Sequence, residues 1–162
     1  MARYGSPFMV APMSDCHKDI AGAEVAAPDS RSCGTRENAT ILVVDDEPGV
    51  RRLCRIILER AGYKVVEADS ADSARMAWQA RQGAVDLLLT DYNMTGDTGL
   101  ELSEWLHAEN ASIPVILMSG ANALNLNIPA RISFLQKPFT VQALVETVRT
   151  QILHATCARP YN

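Results

Sequence analysis

From residue 41 onward, short apolar runs alternate with longer stretches whose apolar positions recur at helical spacing. Ile41-Leu42-Val43-Val44, Leu87-Leu88-Leu89 and Val115-Ile116-Leu117-Met118 are continuous. Ile132-Ser133-Phe134-Leu135-Gln136 is nearly so. Continuous runs of this length are the pattern of strands buried on both faces of a parallel sheet. They predict strands over about 41–45, 87–91, 115–118 and 132–136, with a further strand over 64–67. A first helix follows Pro48, a residue suited to a first helical turn. Val50, Leu53, Cys54, Ile57 and Ala61 form its apolar stripe, and Gly62 supplies the stop. A second helix from about Ser70 carries Ala74, Ala77 and Trp78. A third carries Leu102, Trp105 and Leu106. Residues 122–130, cut by Pro129, predict at best a short fourth helix. A fifth opens near Thr140 and aligns Val141, Leu144, Val145, Val148 and Ile152.

Five strand-then-helix units with right-handed crossovers predict an α/β fold: a doubly wound parallel sheet with helices on both faces. The expected architecture is flavodoxin-like, (βα)5, with strand order 2-1-3-4-5. That order sets the carboxyl ends of the first and third strands side by side, where open α/β sheets bind ligands.

The chain has 162 residues, 48% hydrophobic and 21% charged, enough for one domain with a real core. Its net charge of −4 disfavours direct nucleic-acid binding, which usually shows a basic face. No apolar run approaches the roughly 20 residues of a membrane span, and the start lacks a secretory core, so the cytoplasm is the expected compartment. Residues 1–39 mix Ala, Gly, Pro, Ser and scattered charges without period and read as a disordered leader. The folded domain is expected over 40–156, with a frayed tail over 157–162. Cys16, Cys33, Cys54 and Cys157 fit no zinc spacing; Cys54 reads as a small core residue and the others as reduced thiols. Trp78 and Trp105 read as helix-face packing, and His17, His107 and His154 as solvated.

Each buried run ends on a reactive side chain: Asp45-Asp46, Asp91, Ser119 and Lys137. Taken singly, these have plainer readings: a loop or helix-start acid, a turn starter, a strand-end hydroxyl, a surface ammonium. Taken together, they are expected to converge at one sheet edge. Carboxylates that gather a divalent cation, beside a Lys and a hydroxyl, suit phosphoryl chemistry.

The motifs carrying these residues are Ile41 to Pro48 (ILVVDDEP), Leu87 to Met94 (LLLTDYNM), Leu117 to Gly120 (LMSG) and Phe134 to Phe139 (FLQKPF). In that order the chain from about residue 40 to 155 resembles a response-regulator receiver domain of two-component signalling. The resemblance implies that Asp91 accepts a phosphoryl group from a histidine kinase or phosphotransfer protein. It implies that Asp45, Asp46, Asp91 and the backbone carbonyl of Asn93 hold Mg²⁺ (or Mn²⁺). Lys137 and Ser119 would contact the phosphoryl oxygens, and the Lys137-Pro138 bond would be cis. Ser119 and the switching ring of Phe134 would carry the change to an unknown protein target on the face of the fourth helix, fifth strand and fifth helix. No contact with a membrane and no catalysis beyond self-phosphorylation and self-dephosphorylation is expected.

Two departures stand out. Met94-Thr95-Gly96-Asp97-Thr98-Gly99 lacks the family's Pro after Met and has Thr98 before Gly99. The segment between Ser119 and Lys137 is compressed, as in receivers attached to hybrid sensor kinases. No second domain is expected after the last helix, and the expected output is a protein contact made by a stand-alone receiver or one separated from a kinase. Two other readings stay open. One is a degenerate receiver that acts only as a binding module, against which the intact acids, Ser119 and Lys137 argue. The other is an aspartyl-phosphate phosphatase, which wants Asp-x-Asp where this chain has Asp45-Asp46-Glu47.

Overall fold

In the computed structural model, residues 38–120 and 128–157 are described. The elements run β1 (Thr40–Val44), α1 (Pro48–Arg60), β2 (Lys64–Ala68), α2 (Ala71–Ala80), β3 (Leu87–Asp91), α3 (Gly99–Glu109), β4 (Val115–Ser119), β5 (Ile132–Gln136) and α4 (Val141–Cys157). The sheet order is β2-β1-β3-β4-β5, with every neighbouring pair parallel. This is the doubly wound, flavodoxin-like arrangement expected from the run pattern. Helix α4 is the fifth helix of the sequence reading. The expected fourth helix falls largely on residues 121–127, outside the described residues, and Ile128 to Ala130 are not helical. The expected leader lies outside the described residues apart from Asn38 and Ala39, and so does the tail beyond Cys157. Asn38 donates its amide to the Gly62 carbonyl at 3.1 Å, and Ala39 is buried in the core. Among the described residues no helix is long and apolar enough to cross a membrane.

Strand residues alternate between the two faces of a sheet, so β1, β3 and β4 each feed two cores. Ile41, Val43, Leu87, Leu89, Ile116 and Met118 pack with Cys54, Ile57 and Leu58 of α1 and with Leu144, Val148 and Ile152 of α4. Leu42, Val44, Leu88, Val115 and Leu117 pack with Ala74 and Trp78 of α2 and with Leu102 and Leu106 of α3. Full burial of each large aliphatic side chain is worth about 1.5–3 kcal/mol relative to exposure, so the three central strands carry much of the core's stabilisation.

The helix stripes differ from expectation at both α1 and α4, and Ala61, placed on the α1 stripe, is exposed at the C-cap. Leu53 is 51% exposed, while Leu58, which the stripe omitted, is fully buried. The core-facing side of α1 centres on Cys54, Ile57 and Leu58, and Leu53 sits one helical step of about 100° to the side. Val141 is 60% exposed at the first residue of α4, one turn before the core contacts begin at Leu144.

Two helix starts are fixed by reciprocal side-chain bonds. Before α2, Ser70 accepts the Ser73 amide while Ser73 accepts the Ser70 amide. Before α3, the Thr98 hydroxyl accepts the Glu101 amide at 3.2 Å, and Glu101 accepts the Thr98 amide at 2.7 Å. Such capping boxes contribute about 1 kcal/mol each. The departure at Thr98 thus has a local reason: it caps the helix that follows the acid loop.

Candidate functional site

The carboxyl ends of β1, β3, β4 and β5 present the side chains expected there. Asp45 immediately follows β1 and is 1% exposed. Its carboxylate Oδ1 accepts the Glu47 amide at 2.9 Å, and Arg51 Nη1 of α1 donates to its carbonyl at 2.6 Å. The turn into α1 therefore holds Asp45 by both its side chain and its backbone. Asp91 is the last residue of β3; its Oδ2 accepts the Asn93 amide at 3.1 Å. Lys137 follows β5, and its amide donates to the Ser119 carbonyl at 2.8 Å. The Lys137-Pro138 bond is cis.

Lys137 Nζ donates to Asp45 Oδ2 at 2.8 Å and to Asp91 Oδ1 at 2.7 Å. One ammonium thus joins two carboxylates carried on strands that lie side by side. Burial pushes the Asp91 carboxyl above its ordinary value; the Lys137 hydrogen bond and charge pull it back, and the Asp45 charge adds to the rise. Burial alone would lower the Lys137 ammonium. The hydrogen bonds and charges of Asp45 and Asp91 together outweigh it and hold Lys137 above its ordinary value. Cys54, beneath the site on α1, is pushed up to about 11 by burial first and the Asp45 charge second, as befits an unreactive core thiol.

Asp46 stands apart. It is exposed, and its Oδ2 accepts both the Thr95 amide at 3.1 Å and the Thr95 hydroxyl at 2.9 Å. Asp46 is thereby turned toward the β3–α3 loop while Asp45 and Asp91 close on Lys137. Among the described residues, no three His, Cys, Asp or Glu side chains are gathered closely enough to hold a metal ion as they stand. The donors themselves are hard carboxylate oxygens, with three acids against one ammonium, a set whose chemistry fits Mg²⁺ or Mn²⁺ rather than a soft metal.

Ser119 ends β4, buried, one residue beyond Met118, which pairs in register with Asp91. Phe134, on β5 opposite Leu117, is half-buried. Asn93 is exposed in the loop after β3. All the expected site residues therefore lie at or near one edge of the sheet except Phe134, which sits two residues inside it.

Three contacts around the site were missed by sequence reasoning. One is Thr95 on Asp46. Another is Arg51 on the Asp45 carbonyl. The third is Arg75 of α2, which donates to Asp97 of the β3–α3 loop at 2.6 Å and to Asp72 at 2.9 Å, with its guanidinium 5.6 Å from the Trp105 ring. The Asp72–Arg75 spacing was readable as a helix pair; Arg51 lies six residues beyond Asp45 across the turn into α1, where no periodic pattern runs, and the Thr95–Asp46 and Arg75–Asp97 partners are distant in sequence and carry no local signal. His107, expected to be solvated, is instead half-buried against Ile113, its Nε2 lying 3.1 Å from that carbonyl, and burial lowers its imidazole below the ordinary value. Trp78 is buried in the α2–α3 core and Trp105 packs beside it, as expected.

Gly99 fixes the loop from the other side. A Cβ there would overlap the Asp91 carbonyl oxygen and press on Leu117. Gly99→Ala should therefore shift either the first turn of α3 or the Asp91 backbone and destabilise the fold by about 1–3 kcal/mol. A thermal melt checks this; an unchanged midpoint would mean that the loop yields freely.

Comparison with known proteins agrees with this geometry. Residues 41–149 match the family model described as "Response regulator receiver domain". The chain is 35% identical over 117 residues to the C4-dicarboxylate transport transcriptional regulatory protein DctD of Pseudomonas aeruginosa, covering 67% of this chain and 24% of that protein. Among solved structures, it resembles the receiver domain of the hybrid histidine kinase CckA, with 31% identity, 70% of this chain and 99% of that chain covered, and a TM-score of 0.62. It also resembles the response regulator TrrA of Thermotoga maritima in complex with Mg(2+)-BeF, with 27% identity, 70% and 98% of the chains covered, and a TM-score of 0.62. The chain spans about half or less of the first curated relatives it matches, 24% of DctD and 48% of the response regulator GtcR of Aneurinibacillus migulanus. The chain belongs to the family of response regulator receiver domains.

Proposed function

We propose that this receiver accepts a phosphoryl group onto Asp91 from a phosphohistidine on a histidine kinase or phosphotransfer protein and signals through protein contacts. The observation that carries this reading is the Lys137 ammonium shared between Asp45 and Asp91. It supports Asp91 as an ionised nucleophile held in a fixed direction at the carboxyl edge of the sheet. An Asp91 oxygen attacks phosphorus, the phosphorus–nitrogen bond of the donor breaks, and the imidazole leaves. The product is an acyl phosphate. As the Asp91 oxygen loses its charge to the new bond, Lys137 becomes available to a phosphoryl oxygen, which it binds as a compact point charge. Ser119, on the strand beside Asp91, is the hydroxyl suited to a second oxygen.

Asp45, Asp46 and Asp91, with the Asn93 carbonyl, are the residues that would hold Mg²⁺ or Mn²⁺. A bound divalent cation supplies charge that offsets repulsion between the carboxylates and the incoming phosphoryl oxygens. The signal is then read through Ser119 and Phe134 on the side of the sheet formed by β5 and α4, where β5 is the edge strand.

The test is incubation of the full chain with Mg²⁺ and acetyl phosphate, followed by intact-mass spectrometry. One hydroxylamine-labile phosphoryl group per chain is expected. A chain that gains none is a binding module, and one that turns acetyl phosphate over rapidly without retaining label is a phosphatase.

A further inference from the structure

We propose that Thr95 is a latch on Asp46: it competes with the divalent cation for that carboxylate, so that cation binding and the position of the β3–α3 loop are coupled. The inference rests on the cation site proposed above.

The Thr95 amide and hydroxyl converge on one oxygen, Asp46 Oδ2, at 3.1 and 2.9 Å. Both residues are exposed, so packing does not hold them together. The bonds themselves orient Asp46, and each is a charge-assisted bond to a carboxylate. Asp45 and Asp91 are meanwhile engaged by Lys137 and by the amides of Glu47 and Asn93. At Asp46 the donors come instead from the β3–α3 loop, 49 residues away in sequence, so cation binding there and the position of that loop bear on one another. A proline at this position would have neither the amide hydrogen nor the hydroxyl, and could not make the contact.

The neighbouring residues suit a latch that can open. Gly96 follows directly with φ +95°, a conformation that glycine adopts without strain, and a Cβ there would meet nothing within 4 Å. Beyond it, Asp97 is tied to Arg75 and Thr98 caps α3. The loop is therefore anchored on its far side, and Thr95 is joined to that anchor through a single permissive residue. When a cation takes Asp46, Thr95 loses its partner and the near half of the loop is released. The loop borders Asp91, so cation occupancy alters access to the acceptor before any phosphoryl group arrives.

The experiment is an Mg²⁺ titration of the ¹⁵N-labelled full chain followed by amide NMR, for wild type, Thr95→Val and Thr95→Ser. Valine keeps the shape and the amide but removes the hydroxyl; serine keeps both donors. The exposed position makes all three chains foldable. Val is expected to bind Mg²⁺ about three- to fivefold more tightly than wild type, with Ser within about twofold of wild type, where tenfold corresponds to about 1.4 kcal/mol. In wild type the Thr95 and Gly96 amides should shift in step with the Mg²⁺ isotherm. Equal affinities for wild type and Val, or a Thr95 amide that stays put at saturating Mg²⁺, would overturn the latch while leaving the cation site standing. If neither wild type nor Val binds Mg²⁺, the cation site itself is wrong and the latch falls with it.

Discussion

Asp91→Asn should abolish labelling by acetyl phosphate and, at pH 7, leave the protein at least as stable as wild type. The first half follows from the loss of the nucleophilic oxygen with retention of shape. The second half is less obvious, because the same substitution removes a carboxylate bonded to Lys137 at 2.7 Å. The direction of the Asp91 shift decides it. Burial and the Asp45 charge together outweigh what Lys137 and the Asn93 amide return, so the Asp91 carboxyl sits above its ordinary value. An acid whose folded pKa is raised binds its proton more tightly in the folded state. Its contribution to stability is full below the ordinary carboxylate value and is lost as pH rises through the folded value. At pH 7 the ionised Asp91 is therefore a net burden on the fold, and an uncharged amide relieves it. The stability difference between variant and wild type should close as pH falls through the carboxylate range. Chemical denaturation at pH 7 and at pH 4, with mass spectrometry after acetyl phosphate treatment, reads both halves. Labelling at the wild-type rate would move the acceptor elsewhere. A large loss of stability at pH 7 would mean that the Lys137 bond outweighs burial.

This tension, a reactive carboxylate held at a cost by a rigid frame, explains how much could be read from the sequence. Buried parallel strands need continuous apolar runs, and the sheet ends where a polar side chain must reach water. Leu87-Leu88-Leu89-Thr90 therefore announces both β3 and the position of Asp91, and Ile132 to Gln136 announces β5 and the position of Lys137. The crossover rule gave a doubly wound sheet, and the choice of the flavodoxin-like strand order, which the structure bears out, set the ends of β1 and β3 side by side. Contacts between exposed loops obey no such rule. Thr95 and Asp46 are 49 residues apart and both solvent-facing, and nothing in either neighbourhood marks the pairing. Arg75 reaches Asp97 across 22 residues for the same reason. Helix phase was readable only to within one step, which is why Leu53 and Leu58 exchanged roles. His107 was misread because its partner, the Ile113 carbonyl, belongs to the turn after α3, where no periodic pattern runs.

Lys137→Ala should be the most destabilising single change at the site. Asp45 is 1% exposed and Asp91 is buried, and the ammonium between them is their shared countercharge. Removing one partner of a buried ion pair costs about 3–5 kcal/mol, because the charge left behind is neither solvated nor paired. The Lys137 side chain is 22% exposed, so water can enter the space it leaves, and a loss of about 2–3 kcal/mol is the expected size. Its pH dependence identifies the cause. Without Lys137, Asp91 loses the hydrogen bond and charge that pull its carboxyl down, while burial and the Asp45 charge still push it up. Its folded value rises further, so the folded variant gains stability by taking up a proton as pH falls. The deficit relative to wild type should be full near pH 8 and should shrink as pH falls toward the ordinary carboxylate value. In wild type, the raised Lys137 contributes stability that is full below the ordinary ammonium value and is lost as pH rises through its folded value. The wild-type advantage should therefore also fade on the alkaline side. Urea unfolding of wild type and Lys137→Ala at pH 4.5, 7 and above 10 traces the whole curve. A deficit constant across that range would assign the loss to the packing of the Lys137 stem instead of to the two carboxylates it joins.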